Sequence, residues 1–419
     1  MQACAMAPGA DAARTPAFCS LRWRVYWGDL PSRTPSAWSA QAAAQRRAYR
    51  HLCATFRRRL EAPAPNEPLD PLQSGAKNVW QEQHAARQNQ EQIELDVQRL
   101  EMDDAPRRAL AQLLYVWACV HADLGYRQGM HELAAFLWQV RADDAQRAQR
   151  DARSAGTYPP AVAEARAGNQ LPTSLSQDDV QLLLAPDEVE ADTFFLVSSL
   201  LHRLRPYFGA ERTGTPALLK ALLHRVDPAL AQHLTTLQLD WQPILMRWHR
   251  LLYLHEFSAD EILRLWDALL YADPALELVQ YVSVAMVLRQ RDVLLSADYG
   301  VAMQTLMHYA ETHTATARLV DQAEAMHAAP TPATGASIAS ENRTEPLPEA
   351  SVAAKARDRL YELTESGAAR LAHLAAFQRR EARAPAWSPR AEDRLRTEQR
   401  DKDTQRRRAM LSLDDDKAP

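Results

Sequence analysis

Ala109-Leu110-Ala111-Gln112-Leu113-Leu114-Tyr115-Val116-Trp117-Ala118-Cys119-Val120 decides the fold class. Its large apolar residues Leu110, Leu113, Leu114, Trp117 and Val120 recur three and four positions apart, the spacing of one face of a helix; a half-buried strand would alternate them. Moving outward, Gly125 supplies the residue that most readily takes the left-handed position past a helix end. Gly129 allows a second turn, after which Met130, Leu133, Phe136 and Leu137 resume the helical spacing. The same pattern returns in Ile244, Leu245, Trp248, Leu251 and Leu252. It returns again in Ile262, Leu265, Trp266 and Leu269, behind a capping-box sequence Ser258-Ala259-Asp260-Glu261. Asp273-Pro274 has the N-cap then N1 order that opens a helix. Period-2 alternation next to hairpin turns is hard to find. The expected fold class is all-α.

The chain has 419 residues, enough for a large domain with tails, and a net charge of −4. Nucleic-acid binders carry a strong basic excess, so no nucleic-acid partner is expected. The 12 glycines form neither a P-loop nor a dinucleotide-binding frame, which argues against a nucleotide site made by this chain. Cys4, Cys19, Cys53 and Cys119 lie far apart and suit reduced thiols. Cys119, inside the apolar stripe, reads as buried and inert. The apolar runs are too short or too interrupted to cross a bilayer, and Asp11 and Arg14 interrupt what a signal peptide needs. A cytoplasmic protein is expected.

Composition sets the expected borders. Residues 1–18 are rich in Ala and Pro and read as a disordered segment. A main domain is expected over 19–315, with an insertion loop at about 141–180, where Ala, Arg, Asp and Pro dominate. Residues 316–350 read as a linker, and 351–419 as a charged tail, partly helical or disordered, without a core of its own.

Two segments place functional groups where a core has no use for them. In Ile93-Glu94-Leu95-Asp96-Val97-Gln98-Arg99-Leu100, Ile93 and Val97 can face the core while Asp96 and Arg99 sit at i,i+3. On spacing alone a solvated ion pair worth under ~1 kcal/mol accounts for them. The functional alternative is that Asp96 orients the Arg99 guanidinium toward an oxyanion outside the protein. In Gly125-Tyr126-Arg127-Gln128-Gly129-Met130, Gln128 is mounted in a tight loop between two helices, either to cap a helix end or to present its amide. His121, His131 and Glu132 lack any metal-binding spacing, so no metal site is expected. Trp23, Trp27, Trp241, Trp248 and Trp266 read as core.

Taken together in chain order, these segments make the sequence resemble the TBC domain family of Rab GTPase-activating proteins, from about Leu21 to Tyr309. Leu21-Arg22-Trp23 through Trp27-Gly28-Asp29-Leu30-Pro31 resembles the family's opening. Ile93-x-x-Asp96-x-x-Arg99 matches the motif that carries its catalytic arginine. Tyr126-x-Gln128-Gly129-Met130 matches the motif that carries its catalytic glutamine. Glu190-Ala191-Asp192-Thr193-Phe194, Arg247-Trp248-x-x-x-Leu252 and Leu263-Arg264-Leu265-Trp266-Asp267 resemble three further segments. The wording Gly129-Met130-His131-Glu132-Leu133, together with Asp70-Pro71-Leu72 ahead of Trp80 and the insertion after Val140, is most similar to the retromer-associated endosomal branch.

The resemblance implies an all-helical domain of two subdomains that binds the GTP form of a Rab-family small GTPase and accelerates its hydrolysis. Arg99 and Gln128 would act in trans, with Asp96, Tyr126 and Gly129 supporting them. No cofactor is implied for this chain, since Mg²⁺ and GTP travel with the GTPase. Retromer-like coat proteins are implied as further partners, with peripheral recruitment to endosomal membranes. Leu100 stands where the family usually has Thr, a change that bears on efficiency and leaves room for an adaptor that binds Rab or coat proteins without catalysis.

Overall fold

Helices form where apolar spacing and end signals agree. The computed structural model describes residues 18–30, 35–61, 79–153, 176–208, 214–309 and 316–344. The chain divides into two units, Met1–Pro346 and Leu347–Pro419, and every described residue belongs to the first. The expectations for residues 1–17, Asp70-Pro71-Leu72 and the tail at 351–419 lie outside the described residues.

Sixteen α-helices and no strand occur among the described residues, so the fold is all-α. The first five are α1 (Cys19–Tyr26), α2 (Pro35–Glu61), α3 (Val79–Val97), α4 (Asp104–Val120) and α5 (Met130–Arg153). After a 3-10 turn at Pro186–Glu188 that follows α6 (Gln177–Leu183), come α7 (Val189–Phe208), α8 (Gly214–Val226), α9 (Pro228–Thr236), α10 (Trp241–Arg250) and α11 (Ala259–Ala272). The series ends with α12 (Val279–Arg289), α13 (Arg291–Leu295), α14 (Tyr299–Met307), α15 (Ala317–Ala328) and α16 (Pro332–Thr344).

The apolar stripe of Leu110, Leu113, Leu114 and Trp117 is the inner face of α4. Leu110, Leu113, Leu114 and Trp117 are buried, while Val120 is exposed because the helix ends there and the chain turns away. All five tryptophans named above are buried, and Trp23 packs on Trp266 with ring centroids 5.6 Å apart. Helix α7 runs through the middle, packing against α2, α4, α5 and α10. Cys119 is only partly buried, which corrects its reading as a core thiol.

Four other expectations are corrected. The insertion loop was expected from Arg141, yet α5 continues to Arg153, and Arg141 and Asp144 are buried. Buried Arg141 is held by Asp192 and by backbone carbonyls, a tertiary satisfaction that composition cannot show. Residues 317–344 form α15 and α16 where a linker was expected, because Leu319, Val320, Ala323 and Met326 pack inward against α11 and α12. Asp273-Pro274 does not open a helix: the Asp273 carboxylate accepts from the backbone N–H groups of Ala275 and Leu278, and α12 starts at Val279. The Ser258 hydroxyl, read as a capping acceptor, instead donates to Glu261 at 3.3 Å.

Buried charge ties the centre together. Asp192, on α7, is inaccessible and takes Arg46 at 2.7 Å, Arg141 at 2.8 Å and Arg24 at 3.5 Å. Arg46 and Arg141 also donate to the carbonyls of Leu182, Leu183 and Ala185. Those carbonyls lie at or just past the end of α6, where the helix leaves acceptors unmatched and its dipole is negative. Three guanidiniums thus surround one carboxylate, and two of them, Arg46 and Arg141, are shared with a helix end.

Candidate functional site

Helix α3 buries Ile93 and Val97 and stops at Val97. A turn follows, closed by Arg99 N–H to Asp96 O at 3.2 Å and Leu100 N–H to Val97 O at 3.1 Å. Asp96 faces inward and is 1% exposed; the Arg99 side chain is 69% exposed. Their closest atoms are 3.6 Å apart, an ion pair too long for a hydrogen bond. Leu100 is half-buried against the core, and its carbonyl accepts from Arg107.

The second segment begins where α4 ends. Gly125 N–H donates to His121 O at 2.8 Å, and Gly125 has φ +63°, the left-handed conformation that the sequence expects there. Tyr126 turns inward and is buried, while Arg127 and Gln128 are exposed. Gly129 has φ +98°, and a Cβ placed on it would meet Leu251 Cδ2 at 3.2 Å. Gly129 is thus required both by its backbone angle and by the close approach of Leu251. Helix α5 starts at the next residue.

One carboxylate joins the two segments. The Tyr126 hydroxyl donates to Asp96 Oδ2 at 2.9 Å. Asp96 Oδ1 makes no hydrogen bond among the described residues and is balanced by the Arg99 charge. The structure therefore brings Asp96, Arg99 and Tyr126 into one connected arrangement, while Gly129 sits on the same loop against Leu251. Gln128 lies two residues beyond Tyr126, exposed at the loop tip. Burial, with the neighbouring Asp96 charge second, pushes the Tyr126 phenol well above its ordinary range and keeps it a donor.

Two residues that the sequence reading did not assign to the site complete it. His131 Nδ1 lies 2.9 Å from the Tyr126 hydroxyl. His255 Nε2 meets Glu132 Oε2 at 2.5 Å and ties α5 to the loop after α10. That loop also supplies Leu251 beneath Gly129, and it is held by the Tyr253 hydroxyl on Val279 O and by Trp266 Nε1 on Leu252 O. The helix expected to reach Leu252 ends at Arg250 so that Leu252 and Tyr253 can take positive φ. No periodicity could have revealed the His131 contact, since it depends on a ring turned inward beside a buried phenol.

Among the described residues no group of three or more His, Cys, Asp or Glu is placed to hold an ion. No described helix is long and apolar enough to cross a membrane. Chemically, the site offers an exposed guanidinium paired through Nη1 with a buried carboxylate, and an exposed carboxamide on a glycine-bounded loop tied to the same carboxylate through a phenol.

Comparison with known proteins identifies the family and the fold. The Rab-GTPase-TBC domain family profile matches residues 66–295. TBC1 domain family member 5 of Homo sapiens is 27% identical over 334 residues, covering 71% of this chain and 40% of its own length. GTPase-activating protein gyp1 of Schizosaccharomyces pombe is 27% identical over 187 residues, covering 42% of this chain and 32% of its own length. The chain thus spans about two fifths of the human relative. The crystal structure of the Ypt/Rab-GAP domain of Gyp1p shares the fold with a TM-score of 0.54 at 20% identity, covering 73% of this chain and 86% of that one. With the profile spanning more than half of the chain and the helical fold shared, the protein belongs to the Rab-GTPase-TBC domain family.

Proposed function

We propose that this chain is a GTPase-activating protein for a Rab-family small GTPase, supplying Arg99 and Gln128 in trans. Hydrolysis of GTP builds negative charge on the transferring phosphoryl group, and the GTPase brings Mg²⁺ and its own phosphate loop but too little positive charge. An inserted arginine is worth roughly 10³ to 10⁵ in rate, or about 4 to 7 kcal/mol. Arginine suits the task because its planar fork can bridge two oxygens and stays protonated. A carboxamide can accept from the attacking water and donate to a γ-oxygen, the role otherwise filled by a glutamine of the GTPase.

The observation that supports this reading is the buried Asp96 carboxylate, which holds the Arg99 charge on one oxygen and the Tyr126 hydroxyl on the other. A surface ion pair would need neither the burial nor the phenol. The motif wording Gly129-Met130-His131-Glu132-Leu133 extends the proposal to the endosomal branch, with retromer-like coat proteins as further partners and recruitment to endosomal membranes.

Single-turnover hydrolysis by a panel of GTP-loaded Rabs tests the reading. Wild type is expected to accelerate at least one member, and Arg99→Ala and Gln128→Ala each to lose at least two decades of that acceleration, about 2.7 kcal/mol, with Rab binding retained. Unchanged rates in both variants would defeat it. Leu100, where the family usually has Thr, favours one other reading, a binding adaptor without catalysis. Wild type that binds GTP-loaded Rab yet accelerates none of the panel establishes that alternative.

A further inference from the structure

The Tyr126 hydroxyl has two neighbours at equal distance, Asp96 Oδ2 and His131 Nδ1, both 2.9 Å away, but only one proton to give. If that proton went to His131, both oxygens of a buried carboxylate would lack a donor, because Asp96 Oδ1 already makes no hydrogen bond among the described residues. A buried acceptor without a donor costs about 1 to 3 kcal/mol, more when it is charged. The proton therefore belongs on the Asp96 side. His131 must then carry its own proton on Nδ1 and donate it to the phenol oxygen.

The surroundings agree with a neutral ring of that tautomer. His131 is 7% exposed, and burial holds its pKa below the ordinary value despite the Glu132 and Asp96 charges nearby. Its other nitrogen, Nε2, faces Glu132 Oε1 at 4.0 Å, beyond hydrogen-bond range, and the second Glu132 oxygen is engaged by His255. Among the described residues no side-chain acceptor is therefore recorded within hydrogen-bond distance of Nε2. Accepting from His131 polarises the Tyr126 hydroxyl and fixes its direction, since hydrogen bonds in a chain strengthen one another.

We propose that His131 is a positioning residue for the activating site, donating from Nδ1 to Tyr126 so that the phenol is committed to Asp96 and Asp96 to Arg99. This rests on the Rab-activating reading above. His131 does not touch the substrate. It acts through two intermediaries on the orientation of the guanidinium, and through Tyr126 on the loop that carries Gln128.

Two measurements test it. In the first, stimulated kcat and KM for GTP-loaded Rab are compared for wild type, Arg99→Ala, His131→Phe and His131→Asn, with thermal melting to follow folding. His131→Phe keeps a ring but loses the donor, and should lower kcat about tenfold while KM stays within twofold. His131→Asn places an amide N–H where Nδ1–H stood and should recover most of the loss. Wild-type kcat in His131→Phe, or an equal loss in His131→Asn, overturns the inference and leaves the Rab reading standing. Absence of acceleration by wild type on every Rab overturns that reading and the inference with it.

The second measurement needs no GTPase. Nitrogen-15 NMR of the imidazole in the full chain should show the Nδ1–H tautomer at neutral pH, and its Nε2–H form should appear in Tyr126→Phe, where the phenol no longer receives the proton. An Nε2–H signal from His131 in wild type overturns the proposed relay directly.

Discussion

Asp192 and Asp96 are both nearly inaccessible carboxylates, at 0% and 1% exposed, and both are paired with arginine. Around Asp192 the arginines Arg24, Arg46 and Arg141 are buried as well, and those of Arg46 and Arg141 spend further donors on carbonyls at the end of α6. Around Asp96 the arginine is 69% exposed, and the second partner is a phenol rather than another cation. The first arrangement consumes its positive charge internally and holds helices together. The second pairs one fork nitrogen, Arg99 Nη1, with the carboxylate and leaves most of the side chain exposed. What separates a structural arginine from one available to a ligand is thus where its remaining N–H groups point.

The largest expected effect breaks the first arrangement. Asp192→Ala leaves three buried guanidiniums without their shared counter-charge, and breaking a buried pair costs about 3 to 5 kcal/mol. Urea unfolding should show a loss of that size; a loss below about 1 kcal/mol would mean that the carbonyls alone satisfy the arginines. The same carboxylate sets an acid dependence. Burial would raise the Asp192 pKa, but the Arg46 hydrogen bonds and the charges of Arg24 and Arg141 outweigh it and hold the carboxyl below its ordinary 3.8. A depressed folded-state pKa stabilises above the unfolded value and loses that contribution as pH falls through the folded one. Acid unfolding should therefore steepen below about pH 4, and Asp192→Asn should flatten it.

In the second arrangement the expected losses fall on activity rather than stability. Asp96→Asn keeps an acceptor for Tyr126 but removes the charge that holds Arg99, and should lower stimulated hydrolysis about tenfold, or ~1.4 kcal/mol. Its Rab affinity should change little. A variant as active as wild type would show that Arg99 needs no brace. The smallest expected effect on activity is that of Gly129→Ala, the one variant of this arrangement that also lowers stability. A non-glycine residue at φ +98°, with its Cβ 3.2 Å from Leu251, should cost about 1 to 3 kcal/mol in stability. It should also lower activity several-fold by shifting the loop under Gln128. Leu251→Ala in the same chain should return part of both losses, since it removes the steric contact while the backbone strain remains.

Much of the candidate site was legible in the sequence because it is built from short segments. Asp96 and Arg99 are three residues apart, and Tyr126, Gln128 and Gly129 lie within four positions. The glycines announce their own backbone angles. Spacing could not distinguish a solvated ion pair from a braced one, since the difference is the burial of Asp96 and the arrival of Tyr126 from 30 residues away. For the same reason His131 was read only as a weak metal candidate, and Arg141 as part of a loop.

The all-helical class, the inward face of α4 and the left-handed turn at Gly125 followed from the chain alone, because apolar periodicity and glycine's freedom at positive φ are local properties. The tertiary structure decided the rest. It determined that α5 runs on through Arg141, that α15 and α16 pack onto the body, and that one buried carboxylate serves both the Arg99 turn and the Gln128 loop. Each depends on a buried polar group or apolar face finding its complement on a distant segment, and desolvation makes such a partner necessary without marking in the sequence which residue it will be.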